Sequence, residues 1–266
     1  RYMVSASIRG DGSSRFAPKK RWGYFPAASV GWRISDEEFM KNASWLNDMK
    51  IRASVGQTGN AQIGNSAYLM LYGTANTDLG AGLTTTVYPK QIANDELGWE
   101  KNTQYNVGLD ASLWDGLLGL SADYYYSKTT DMLFDVPVSS VSGLTTSMMN
   151  IGSMQNTGVE LTLTSRKSFG DFHYEFNANW SLNRNKVLHL GDEDAPIIKE
   201  SSYAGAYYIT QVGKPVGCYY LLVQDGVFHN QEELDTYPHF ENSKIGDFRF
   251  VDANGDGIME KDADRV

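Results

Sequence analysis

The residues with the clearest capacity for chemistry form the stretch 252–257, which reads DANGDG. Its side-chain oxygens at positions one, three and five and its glycine at position six match the first half of an EF-hand-type calcium loop. Position twelve needs a carboxylate, but Ala263 stands there. Carboxylates flank Ala263 on both sides, so a loop shifted by one residue can still reach the ion. The predicted calcium ligands are Asp252, Asn254, Asp256, Ile258 (through its carbonyl), Asp262 and Asp264.

A solvated acidic turn is the alternative interpretation, because only the first half of the loop has the calcium spacing. No helical pattern follows residue 257, so a complete EF-hand is not predicted. A bound Ca²⁺ would be a structural cofactor that pins a loop, and no other cofactor is predicted.

Catalytic chemistry finds no support in the sequence, so we do not expect an enzyme. The chain has four histidines without metal-like spacing and a single cysteine, Cys218, which cannot form a disulfide within the chain. No Gly-x-Ser-x-Gly motif occurs, and no catalytic residue is predicted. The net charge of −9 argues against nucleic acid as a partner, because phosphate contacts need clustered cations.

Long runs of alternating apolar and polar residues dominate the first two thirds of the chain and predict an all-β, antiparallel fold. In the last run, six apolar positions follow one another at period two, from Phe172 to Leu182. The predicted strands are 2–9, 24–34, 47–55, 105–113, 118–126, 159–164 and 172–183.

The connections between these strands alternate in length. The turns near Asp115 and Gly170 are short, and the intermediate link 36–47 starts with acidic residues that predict a short helix. The other links are long and rich in Gly, Ser, Thr and Asn, and they are 10–22, 57–103 and 128–156.

Two architectures fit the alternation: a soluble β-sandwich and a transmembrane β-barrel. The barrel is favoured because the predicted strands run to roughly ten residues or more, long enough for a tilted strand to cross a bilayer. It is also favoured by the alternation of long and short connections and by aromatic residues near strand ends. On the barrel interpretation, the polar face lines a wet lumen with Asp110, Asp123, Glu160, His173 and Glu175.

Six stretches resemble SusC/RagA-type TonB-dependent transporters of Bacteroidetes outer membranes. Together they span nearly the whole chain, and none of them is merely a short generic motif. In this sequence they are IRGDGSSRFAPKKRWGYFPAASVGWRISDEEFM (8–40), WLNDMKIRASVGQTGNAQIGN (45–65), WEKNTQYNVGLDASL (99–113), DYYYSKTTDML (123–133), NIGSMQNTGVELTL (150–163) and GDFRFVDANGDG (246–257).

The resemblance implies a segment of a barrel of about 22 strands, embedded in outer-membrane lipid and closed inside by a plug. It implies active import of oligosaccharides or peptides, a SusD-like surface lipoprotein as partner, and energy from the TonB complex. We expect the TonB box, the plug and the C-terminal strands to lie outside this chain. Such a protein is located in the bacterial cell outer membrane.

We therefore predict barrel strands and connecting loops over residues 1–183. Residues 184–266 are predicted to hold a further strand and an extracellular loop region that ends in the calcium-like loop. Arg9-Gly10-Asp11 is then the departure from a strand into a loop, and not an adhesion ligand. The competing function is that of a secreted soluble β-sandwich that binds glycans at the cell surface.

Overall fold

The computed structural model describes residues 1–78, 80, 82–138, 141, 143–144, 146–191, 193–201 and 206–266. The chain forms two compact units, Arg1–Asp194 and Ala195–Val266. From the sequence we predicted a different boundary, at residue 183, between the barrel strands and a loop-rich region. This boundary stays a prediction. Among the described residues, no helix is long and apolar enough to cross a membrane.

The first unit is built on one seven-stranded sheet and a separate hairpin. The strands are β1 Tyr2–Gly12, β2 Trp22–Arg33, β3 Leu46–Asn60, β4 Leu71–Asp78, β5 Leu83–Gln91, β6 Glu100–Leu113, β7 Leu118–Pro137, β8 Thr146–Phe169 and β9 Phe172–Leu190. Neighbours in the sheet follow the order β1-β2-β3-β6-β7-β8-β9, and all of them are antiparallel. The hairpin, β4-β5, interrupts the path from β3 to β6.

The register of the sheet separates an apolar outer face from a polar inner face. Val4 pairs with Val30, Val30 pairs with Ala53, and Ala53 pairs with Val107, so one apolar row crosses four strands. The valines of this row remain exposed, with Val4 81% accessible and Val107 54%, and Ala53 is half-buried. A soluble β-sandwich would bury such a face in its core, whereas a barrel wall presents it to lipid.

The connections alternate between the two edges of the sheet, because consecutive strands run antiparallel. The short-turn edge carries the tight turns 114–117 and 170–171 and the link 34–45, and the long-connection edge carries 13–21, 61–99 and 138–145. The link 34–45 is longer than 13–21 and 138–145, so length distinguishes the two edges only through the two tight turns and the long link 61–99. The predicted tight turn at 114–117 is confirmed, with positive φ at Trp114, Asp115 and Gly116.

Two predicted long links contain more strand than the sequence indicated. In the link 57–103, β3 runs to Asn60, β6 begins at Glu100, and the β4-β5 hairpin lies between them. In the link 128–156, β7 and β8 extend to residues 137 and 146 and still pair, for example Phe134 with Met149. The register shifts between Thr129 and Leu133, so the simple alternation of apolar and polar residues is lost while the backbone ladder continues.

The short helix predicted in the link 36–47 is found as two 3-10 turns, Ile34–Asp36 and Glu38–Met40, and not as an α-helix. Phe39 is 68% exposed, so packing against an apolar surface does not extend these turns into an α-helix.

Among its described residues, the second unit contains small sheets and one short helix. Strands β10 Ile197–Glu200, β11 Tyr207–Thr210 and β12 Cys218–Tyr220 form one sheet, and β13 Gln224–Val227 pairs with β14 Phe248–Phe250. Helix α1, Gln231–Thr236, is capped by Asn230, whose side-chain oxygen accepts a hydrogen bond from Glu233 N.

Candidate functional site

The polar face of the sheet carries a charge cluster that joins three strands. Arg52 of β3 donates from Nε to Asp110 Oδ2 of β6 over 3.1 Å, and its Nη2 donates to Asp123 Oδ2 of β7. Lys50 adds a second cation 3.2 Å from Asp110. The structure thus brings together two of the predicted lumen residues through an arginine. Charged groups of this kind are costly against hydrocarbon, so this face needs water or polar protein opposite it.

Gly108 makes room for this cluster. A Cβ at Gly108 would lie 2.6 Å from Arg52 Cζ and 2.7 Å from Asp123 Oδ1. Atoms at these distances overlap, so a side chain at residue 108 would force the Arg52 guanidinium and the Asp123 carboxylate to move from these positions.

At the long-connection edge, the loops have a packed apolar core of their own. Phe16, Ile63 and Leu97 come from two different links and form a buried cluster, with Phe16 and Leu97 fully inaccessible. Trp99 lies against this cluster, with its ring centroid 5.3 Å from that of Phe16. The indole also meets the buried Phe25 edge-on at 5.5 Å.

Side-chain amides tie the same loops to the strand extensions. Asn150 on β8 donates from Nδ2 to Gly98 O at 2.9 Å and to Asp131 O at 2.7 Å. Its Oδ1 accepts from Gly98 N at 2.7 Å. Asn94 donates from Nδ2 to Met148 O at 3.1 Å. These bonds and the apolar cluster make the long-connection edge an ordered platform, the loop platform.

A crevice of about 480 Å³ opens in the loop platform beside the start of β2. Lys20 Nζ lies 2.8 Å from Glu96 Oε2, and Lys101 Nζ lies 3.5 Å from Asp131 Oδ2. The hydrogen bond with Glu96 raises the pKa of Lys20, and the same bond lowers the pKa of the Glu96 carboxyl. We call this the lysine crevice, and its charged lining is Lys19, Lys20, Glu96, Lys101 and Asp131.

The predicted calcium loop is ordered by bonds from its own backbone. Asp252 Oδ1 accepts from Gly255 N at 2.7 Å, and Oδ2 accepts from Gly257 N at 2.8 Å. Asn254 Oδ1 accepts from Asp256 N at 2.9 Å. The loop therefore has the turn geometry that the first half of the motif predicts.

Asp264 closes this loop from the other side. It is fully buried and accepts from Glu260 N at 2.7 Å and from Ala253 N at 3.0 Å. The backbone N–H of Glu260 is the main cause that lowers the pKa of the Asp264 carboxyl. Asp262 lies apart, because it is 90% exposed and pairs with Arg265 at 2.8 Å.

The calcium ligand set is thus only partly assembled. The Asp264 carboxylate binds backbone N–H groups of the loop. The N–H of Ile258 donates to Asp256 Oδ1 at 2.8 Å, so one of the predicted ligand oxygens already accepts a hydrogen bond within the loop. Among the described residues, no three His, Cys, Asp or Glu side chains form a group that could hold a metal ion. The first-half oxygens suit calcium chemistry, and the site stays a prediction.

Sequence reasoning missed Arg52, Gly108 and Asn150. Arg52 stands in a clear strand pattern, but its partners are 58 and 71 residues away. Only the register of three strands brings them together. Asn150 stands in a polar link and opens the stretch 150–163, but neither observation indicated its bonds to Gly98 and Asp131.

The comparisons with known proteins decide the family. The family model described as "TonB dependent receptor-like, beta-barrel" matches residues 1–257. The chain belongs to this family. Its seven-stranded sheet is therefore an open segment of an antiparallel transmembrane β-barrel, as the sequence predicted.

Named relatives of this TonB-dependent receptor chain come from two Bacteroidetes. It is 37% identical to "TonB-dependent receptor P39" of Formosa agariphila over 233 residues, covering 87% of this chain and 22% of that protein. It is 33% identical to "TonB-dependent receptor SusC" of Bacteroides thetaiotaomicron, covering 98% of this chain and 26% of that protein.

Solved structures give the same result. The chain is similar to the RagAB peptide importer in its "closed-closed" state, with a TM-score of 0.78 and 26% identity over 99% of this chain and 28% of that chain. It is also similar to the RagAB peptide transporter, with a TM-score of 0.74 and 30% identity over 85% of this chain and 24% of that chain. The chain spans about a quarter of the length of these relatives.

Proposed function

We propose that the protein containing this chain imports nutrients across the bacterial outer membrane in a TonB-dependent manner. The observation that carries the proposal is the two-faced sheet, with exposed apolar rows on one side and the Arg52 cluster on the other. A membrane transporter of this family needs such a wall, because lipid touches one face and an aqueous or plug-filled lumen touches the other.

The proposed ligand is an oligosaccharide or a peptide, and the proposed partner is a SusD-like surface lipoprotein. The SusC and RagAB relatives support this assignment. Barrels of this kind have long loops outside the cell and short periplasmic turns, so the loop platform and the extracellular region predicted within residues 184–266 are available to ligand and lipoprotein. Energy would come from the TonB complex through sequence outside this chain. The process needs no covalent chemistry, so we do not assign catalytic residues.

Fractionation of the full-length protein tests the proposal. We expect recovery from the outer membrane only with detergent, together with a lipoprotein and bound ligand identifiable by mass spectrometry. A freely soluble protein without a lipoprotein partner would refute the proposal.

The β4-β5 hairpin offers a sharper test within this chain. Gln91 Nε2 donates to the carbonyls of Ala67 and Leu69 at 2.7 and 2.8 Å, so a deletion should leave Leu71 and Gln91 in place. Because these two residues are paired, a Gly-Ser linker can replace residues 72–90 without opening the loop. We expect normal outer-membrane levels but reduced ligand uptake or lipoprotein capture. Unchanged uptake and capture would remove the hairpin from the proposed ligand-handling surface.

A further inference from the structure

The outer face of the sheet has a shallow apolar furrow below the lysine crevice. Small side chains on β1 and β2 lie beside Val55 of β3 and leave a hollow of about 390 Å³ with an almost wholly apolar lining. A second hollow of about 330 Å³ continues from Ala28 and Val55 toward Val107. We call the combined feature the alanine furrow, and its outward-facing lining includes Ala6, Pro26, Ala28, Ala53 and Val55.

The furrow leads into the lysine crevice. Gln57 lines both of them, so the apolar hollow and the polar crevice meet at one residue. Trp22 and Tyr24 flank the crevice on the outer face and are 66% and 65% exposed. Exposed aromatic residues at the end of membrane strands mark the level of lipid headgroups. The crevice therefore lies at headgroup height and the furrow at acyl-chain height.

The charges in the crevice suit a phosphorylated sugar. Three lysines and two carboxylates, Glu96 and Asp131, line it, and the Asp95 carboxylate lies close enough to interact with Lys20. Among the ion pairs of the described residues Lys19 takes part in none, although its charge also acts on Glu96, so its ammonium can take an added anion. The two existing ion pairs are partly exposed and therefore weak, so a phosphate can displace them. The carboxylates then remain as acceptors for sugar hydroxyls.

We infer that the alanine furrow and the lysine crevice together bind a phosphorylated glycolipid of the outer leaflet. An acyl chain lies in the furrow against Ala28, and the sugar phosphate lies in the crevice against Lys19, Lys20 and Lys101. The long-connection edge is the extracellular edge of such barrels, so the site opens toward the outer leaflet. The inference rests on the proposed outer-membrane location.

Titration of the purified full-length protein with diphosphorylated lipid A, read by native mass spectrometry, tests the inference. K19Q/K20Q should weaken lipid A binding about tenfold, because each basic residue near an anionic headgroup contributes several-fold to affinity. The matched control R166Q/K167Q removes the same charge at the short-turn edge and should bind as the parent does. A28F should fill the furrow and also weaken binding, whereas A122F, on the outer face of β7, should not.

Each other outcome overturns the inference. Equal lipid A binding by K19Q/K20Q and the parent would show that the lysines do not bind the headgroup. Equal weakening in R166Q/K167Q would show a general charge effect. Competition by inorganic phosphate at millimolar concentration would show a free-anion site instead of a lipid site. Fractionation separates this from the proposed function, because a protein found outside the outer membrane fails the earlier proposal, whatever it binds.

Discussion

Removing the Leu97 side chain is the most direct test of the loop platform. Leu97 is fully buried and packs with Phe16 and Ile63, and Leu133 and Met148 of the strand extensions contact the same cluster. Replacing a buried leucine by alanine deletes apolar contacts and leaves a cavity, which costs about 3 kcal/mol, within a range of about 2–5. The cost falls on the platform, because the membrane-facing rows lie elsewhere on the sheet.

Amide hydrogen exchange on the full-length protein measures this loss. Gly98 N donates to Asn150 Oδ1 and Leu97 N donates to Asn94 O, so both amides exchange only when the platform opens. Because every 1.4 kcal/mol changes an equilibrium tenfold, a loss of about 3 kcal/mol should speed their exchange about 100-fold. Amides in the middle of β6 should keep the parent's rate.

Leu83→Ala is the matched control, because Leu83 undergoes the same chemical change but is 77% exposed on the β4-β5 hairpin. Surface changes of this kind alter stability by about 0.5 kcal/mol at most. The reasoning is refuted if L97A leaves the exchange of Gly98 unchanged, or if L83A accelerates it equally.

Three further predictions follow from the inner face and the second unit. Gly108→Ala should displace Arg52 from Asp123 and destabilise the folded barrel by about 1–3 kcal/mol, which heat-modifiable electrophoresis would show as a lower unfolding midpoint. Gly56→Ala is the control and should not lower the midpoint, because its new Cβ would meet Ala27 Cβ at an ordinary 3.5 Å. Equal midpoints for the two variants would contradict the packing argument. The pKa of Asp264 is lowered chiefly by the N–H of Glu260, so its bonds stabilise the loop above the unfolded pKa of about 3.9 and are lost as the pH falls through the lower folded value. Protection of the amides over residues 252–264 from exchange should therefore be constant from neutral pH to about pH 5 and disappear in strong acid. The D264N variant should lack this protection at every pH. Protection in D264N equal to the parent's would contradict the role of Asp264 in ordering the loop. If the same loop binds Ca²⁺, about 0.1–1 mM Ca²⁺ should slow the exchange of its amides, whereas Mg²⁺ at the same concentration should not. The D252N variant should abolish the effect of Ca²⁺. An exchange rate that does not respond to Ca²⁺ would leave the loop as a solvated turn.

The membrane-facing part of the fold could be predicted because lipid imposes a strict pattern. Between Phe172 and Leu182 each outward position is apolar, and the strand found there is β9. Beyond the membrane this constraint ends, since both faces of a strand meet water or loops. The extensions of β7 and β8 therefore read as loops in the sequence, although their backbones pair as far as residues 137 and 146.

The sites were harder to predict because they depend on register and on packing between distant links. Asp110 and Asp123 were predicted on the lumen face, but the arginine that joins them became visible only when β3 was aligned with β6. The lysine crevice joins residues from the link 13–21 to residues near Trp99. Nothing in either stretch indicates the other. The calcium spacing was visible in the sequence, yet the burial of Asp264 was not.

The apolar row of β9 also fixes the thickness of bilayer that this wall fits. From Phe172 to Leu182 the strand rises about 34 Å at about 3.4 Å per residue, and a tilt of about 40° reduces this to a height of about 26 Å. An average hydrocarbon core is about 30 Å thick, and the bacterial outer membrane is thinner than that average. In a thicker bilayer the hydrocarbon would have to thin around the strand or cover polar residues such as Arg184. The wall is thus matched to a thin membrane, and hydrophobic mismatch alone would disfavour its insertion into a thicker one.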